Sequence, residues 1–127
     1  MNLALWIAAI LLAVAMLAAG LMKLVRSREQ LRAAGMGWVD HFPPAAPKVV
    51  GALEVLGALG LILPALTGIA PQLVAFAAAG IALLMLGAVL THLRLKDPVR
   101  EAVPAIVLAL LALFVAWGRF GPYAFAG

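Results

Sequence analysis

Val49-Val50-Gly51-Ala52-Leu53-Glu54-Val55-Leu56-Gly57-Ala58-Leu59-Gly60-Leu61 is an apolar run broken by a single carboxylate. From Val55 to Leu93 the chain carries no Asp, Glu, Lys or Arg. That stretch is too long for one membrane-crossing helix, which needs about 20 residues. Pro64, Gly68 and Pro71 punctuate it where a turn would fall. It therefore reads as two spanning helices with a short uncharged connection. An ionised Glu about two turns into the first of them costs several kcal/mol unless it is protonated or paired. Glu54 is thus the first candidate for a functional residue.

The rest of the chain extends the same pattern. It has 127 residues, 67% hydrophobic and 11% charged, with a mean hydropathy of +1.18. An average soluble domain is closer to one-half apolar and one-quarter charged. Met1 to Met22 is uncharged and long enough to cross. It has no basic n-region and outruns a typical signal-peptide core, so it is expected to be retained. The predicted fold is an all-α integral membrane protein, an antiparallel four-helix transmembrane bundle forming one domain over 1–127. Its helices are expected at about 3–25, 47–65, 72–93 and 102–119, with loops 26–46 and 94–101. Pro104 is expected in the first turn of the fourth helix, where a missing N–H is tolerated.

Charge sets the expected orientation. Eight of the nine Lys and Arg residues lie in or beside the two long loops: Lys23, Arg26, Arg28, Arg32, Lys48, Arg94, Lys96 and Arg100. Only Arg119 lies at the other end. The positive-inside rule then puts both loops in the cytoplasm and both termini outside the cell membrane. This rule accounts for the basic charge without a nucleic-acid partner. Attraction to anionic lipid, worth about 1 kcal/mol per surface charge, is the alternative role for the loop cations. Ser27 to Ala34 favours helix and ends at Gly35, either extending the first helix or lying on the membrane surface. Gly37, Pro43, Pro44 and Pro47 imply an ordered, non-helical return that packs on the mouth of the bundle. Trp6, Trp117 and Tyr123 are expected at one interface, and Trp38 and Phe42 at the other.

Two further polar residues are expected near Glu54. Helix one arrives at the basic end with Lys23, helix two leaves it with Glu54, and helix three returns to it with His92. Lys23, Glu54 and His92 therefore form a candidate polar site. Such a cluster suits a proton relay, a head-group site or a polar-ligand site; equally, it suits a purely structural tie between helices. Gly51 and Gly57 share a face with Glu54, Gly20 lies one turn before Lys23 and Gly87 precedes His92; all four are read as close-packing positions. Familiar catalytic chemistries find no support. The chain has no cysteine, no acidic cluster for a hard cation, no Gly-rich phosphate loop and no recognisable nucleophile–base pair. His41 in a Pro-rich loop is a poor haem ligand. No catalytic residue, metal site or cofactor is assigned.

The order of these features resembles the DoxX-like family of small bacterial membrane proteins. Gly20-Leu21-Met22-Lys23-Leu24 carries the resemblance, with Gly51 to Pro64, Gly87-Ala88-Val89-Leu90-Thr91-His92-Leu93 and Pro104 in order. The resemblance implies a four-helix membrane bundle and marks Lys23, Glu54 and His92 as positions in recurrent motifs. The family takes its name from a membrane subunit associated with an archaeal thiosulfate:quinone oxidoreductase. The expected function is a non-catalytic membrane protein in the lipid bilayer of a bacterial cell. Its cytoplasm-facing polar site would bind a lipid, a quinone-like molecule or a partner helix. A homo-oligomer and a membrane redox partner are both compatible with it. The alternatives are a membrane subunit of a quinone-linked oxidoreductase complex and an oligomeric small-molecule transporter.

Overall fold

The computed structural model describes residues 1–125. Its helices are α1 (Asn2–Val25), α2 (Arg28–Ala33), α3 (Ala46–Thr67), α4 (Leu73–Arg94) and α5 (Val99–Phe120), with a 3₁₀ turn at Gly37–His41. Four of them, α1, α3, α4 and α5, are long and apolar enough to cross a membrane. They pack as a ring in chain order: α1 on α3, α3 on α4, α4 on α5 and α5 back on α1. Successive spans run in alternating directions, so ring neighbours are antiparallel.

The interior is built from small side chains. On α1 the buried residues are Leu5, Ala8, Ala9, Leu12, Ala13, Met16, Gly20 and Lys23, at helical spacings of three and four. Alanines of α4 and α5 face them: Ala75, Ala78 and Ala82, then Ala102, Ala105, Ala109 and Ala112. The outer faces are apolar too, with Leu3, Ile7, Leu56, Leu83 and Leu110 among the exposed residues. A water-soluble bundle would be polar there. Lipid tails are as apolar as leucine, so helix association must come from close packing and a few polar contacts. The chain is a multi-pass membrane protein.

The helix ends refine the sequence expectations. α3 runs past Pro64 and stops at Gly68, whose φ of 72° is left-handed. Proline removes one N–H without ending the helix, and only the left-handed residue stops it. Thr67 Oγ1 donates back to the Leu63 carbonyl at 2.8 Å in the final turn. α5 begins at Val99 rather than near Ala102, because Pro98 takes the N-cap position with extended geometry. Pro104 consequently lies inside the helix beyond its first turn, correcting the expected placement. α2 is not an extension of α1. The chain breaks at Arg26 (φ −93°, ψ 149°), and Ser27 and Gln30 form a capping box that starts a separate helix.

The first loop is ordered by its own contacts. Leu31 and Val39 are fully buried. Arg32 grips Asp40 with two hydrogen bonds, Nε to Oδ2 at 2.8 Å and Nη2 to Oδ1 at 2.5 Å. The hydrogen bond from Arg32 holds the Asp40 carboxyl below the usual carboxylate range. Trp38 sits edge-on to Phe42 at 6.0 Å.

Candidate functional site

Two glycines bring α1 and α3 together. A Cβ on Gly20 would lie 2.6 Å from the Gly51 carbonyl oxygen, and one on Gly51 would lie 2.7 Å from the Gly20 carbonyl oxygen. Both distances are far inside van der Waals contact, so the backbones touch where only glycine fits. Lys23 follows Gly20 by three residues and Glu54 follows Gly51 by three. In antiparallel helices this places their Cα atoms on opposite sides of the glycine contact. The side chains close the gap because Cα–Cβ bonds tilt towards a helix N-terminus. Lys23 leans into the bundle, whereas Glu54 leans out towards the basic end.

The result is a buried ion pair. Lys23 Nζ lies 2.7 Å from Glu54 Oε1, with side chains 10% and 2% exposed. Glu54 Oε1 is closed off from solvent, and no described residue besides Lys23 offers it a polar contact. A buried acceptor in that state retains unmet hydrogen-bonding capacity. Lys23 is the more accessible member.

His92 does not join the pair. Its Nδ1 lies 2.8 Å from Asp97 Oδ2, and the Asp97 N–H donates to the His92 carbonyl at 3.0 Å. His92 therefore fastens the end of α4 to the turn before α5. The four glycines also divide. Gly20 and Gly51 meet backbone, and Gly57 meets the Ile81 side chain, where a Cβ would lie 2.8 Å from Cγ1. A Cβ on Gly87 would have no neighbour within 4 Å, so Gly87 is not a close-packing residue. Among the described residues, no group of three His, Asp or Glu side chains converges as a metal site would require.

Sequence reasoning missed two cations. Lys48, counted only as an orientation charge, donates Nζ to the Leu24 carbonyl at 2.5 Å and the Arg26 carbonyl at 3.2 Å. It thereby satisfies carbonyls at the end of α1 that have no intrahelical partner. Arg119, read as a lone counter-signal, is a buried side chain at the opposite end of the bundle. Its Nη1 donates to Asn2 Oδ1 at 2.7 Å and to the Tyr123 carbonyl at 2.9 Å. The only sequence signal for this contact was the presence of Asn2, Arg119 and aromatic residues at one end.

A family model described as the DoxX-like family matches residues 7–114. No curated protein and no solved structure matches the chain.

Proposed function

The chain belongs to the DoxX-like family, and on that premise we propose that it is a non-catalytic membrane protein whose Lys23–Glu54 pair receives the polar head of a membrane-embedded ligand. The favoured ligand class is a lipid or quinone-like molecule carrying both an acceptor oxygen and a hydroxyl. One observation carries this reading: Glu54 Oε1 is buried 2.7 Å from Lys23 Nζ, and no other described residue donates to the carboxylate. A ligand hydroxyl would supply a second donor to the carboxylate, and a ligand carbonyl or phosphate oxygen would share the ammonium. Lys23, the more exposed partner, is the point of approach from the interface.

The charge distribution supports an orientation with both basic loops in the cytoplasm and both termini outside, in the cell membrane of a bacterium. The site then faces the cytoplasmic leaflet. Native mass spectrometry of the full chain in mild detergent tests the proposal. The expected result is one lipid- or quinone-sized adduct per chain that is lost in Lys23→Met and weakened in Glu54→Ala. An adduct pattern unchanged in both variants, with folded protein, would refute it. A flavoprotein retained in place of a small molecule would instead favour the redox-subunit reading.

A further inference from the structure

The end of the bundle opposite the Lys23–Glu54 pair holds a cation that has no counter-charge among the described residues. Arg119 is 5% exposed. Among the described residues, no carboxylate lies within ion-pair distance of it. Its two hydrogen bonds both leave Nη1, towards Asn2 Oδ1 and the Tyr123 carbonyl. A guanidinium has five N–H donors in a fixed fork, so Nε and Nη2 keep three that no described residue accepts. A buried fork whose remaining donors meet no described acceptor calls for an acceptor from outside them. The guanidinium carbon stands 3.9 Å from the Phe125 ring centroid. Phe125 is in turn held edge-on by Trp6 at 5.9 Å. Aromatic contact and two dipoles orient the cation but do not neutralise it.

We infer that the open edge of Arg119 binds the phosphate of a membrane phospholipid. The Nε and Nη2 donors lie side by side, the geometry that takes two oxygens of one phosphate. Depth favours a lipid over a soluble anion. Arg119 lies about 30 Å along α5 from Val99, the thickness of a hydrocarbon core, and so sits at the level of the head groups. Trp6, Trp117 and Tyr123 surround that level as an interfacial aromatic belt does. Both leaflets carry phosphate, so the inference holds for either orientation of the chain and does not depend on the ligand proposed for Lys23 and Glu54.

Asn2 provides the decisive variant. Asn2→Asp puts a carboxylate where Oδ1 already accepts from Arg119, neutralising the cation from within while preserving size and shape. The full-chain protein in mild detergent would be titrated with phosphatidylglycerol, with phosphate-free diacylglycerol and with inorganic phosphate, and read by native mass spectrometry. Phosphatidylglycerol should bind the wild type, and Asn2→Asp should weaken it at least tenfold. Arg119→Lys, which keeps the charge but loses the fork, should fall between them. Equal phosphatidylglycerol binding by wild type and Asn2→Asp would overturn the site. Diacylglycerol binding as tightly as phosphatidylglycerol would overturn the role of phosphate. Inorganic phosphate binding as tightly would overturn the assignment to a lipid.

Discussion

Replacing Gly20 by alanine tests whether backbone contact between α1 and α3 sets the geometry of the ion pair. The new Cβ would lie 2.6 Å from the Gly51 carbonyl oxygen, 2.8 Å from Val55 Cγ2 and 3.0 Å from the Val55 nitrogen. The Val55 methyl can rotate away. The Gly51 carbonyl cannot, because it belongs to the helical ladder of α3. Ordinary carbon–oxygen contact begins roughly 0.6–0.8 Å further out, so the two helices must part by about that amount. Overpacking of this kind costs about 1–3 kcal/mol. Gly51→Ala meets the Gly20 carbonyl at 2.7 Å and Lys23 Cβ at 2.9 Å, and should cost as much. Gly87→Ala is the matched control: nothing lies near its added methyl. It should be neutral or stabilising by up to about 1 kcal/mol through helix propensity. Thermal or denaturant unfolding of all three variants in one detergent gives the ranking. The reasoning fails if Gly20→Ala is as stable as the parent, or if Gly87→Ala is equally damaging.

Three other outcomes are expected. Lys23→Met should destabilise the protein by about 3–5 kcal/mol by stranding a buried carboxylate, and Glu54→Gln should cost less because lysine can extend to the interface. The double variant should cost less than the two single changes added, and strict additivity in the cycle would remove the pairing. The Arg32 hydrogen bond lowers the Asp40 pKa, so the link's contribution is fully present above the unfolded carboxylate value near 3.9 and is lost as pH falls through the lower folded value. Limited proteolysis of the first loop should therefore be equally slow at pH 7 and pH 5; acceleration already at pH 5 would contradict the depressed pKa. For orientation, a cysteine at Thr67 should react with an impermeant thiol reagent in intact cells, and one at Arg28 should not; the reverse pattern would invert the topology.

Much of the bundle was legible because hydrocarbon is an unforgiving solvent. Long uncharged runs identify spans, and Gly68 marks a stop even where Pro64 does not. The meeting of Lys23 with Glu54 was also legible, since helix direction alone brings both to one end. His92 shows the limit of that argument. It reaches the right level of the bundle, but level says nothing about angular position, and Asp97 five residues on offers a nearer partner. Gly87 fails for the same reason: a small residue shortly before a polar one need not face a neighbouring helix. The roles of Lys48 and Arg119 depend on carbonyls and side chains brought close by the fold, across 24 and 117 positions of sequence. Periodicity does not encode such contacts.

The polar contacts also explain where the bundle is firm and where it can yield. α1 is tied at both ends, to α3 by Lys23 and to α5 through Asn2 and Arg119. Its two seams are also closed tightly by glycine, Gly20 against Gly51 and Gly118 against Leu5. The seam between α3 and α4 has no comparable tie among the described residues. Gly57 and Gly60 there meet only side chains, Ile81 and Ala77. Outside that contact lies an apolar groove of about 500 Å³ lined by Leu53, Leu56, Gly80 and Leu84 among others. Glu54 is on α3, the helix shared by the tied seam and the untied one. α3 therefore yields more readily on its α4 side, because parting α1 from α3 would first separate two opposite charges in a medium that screens them weakly.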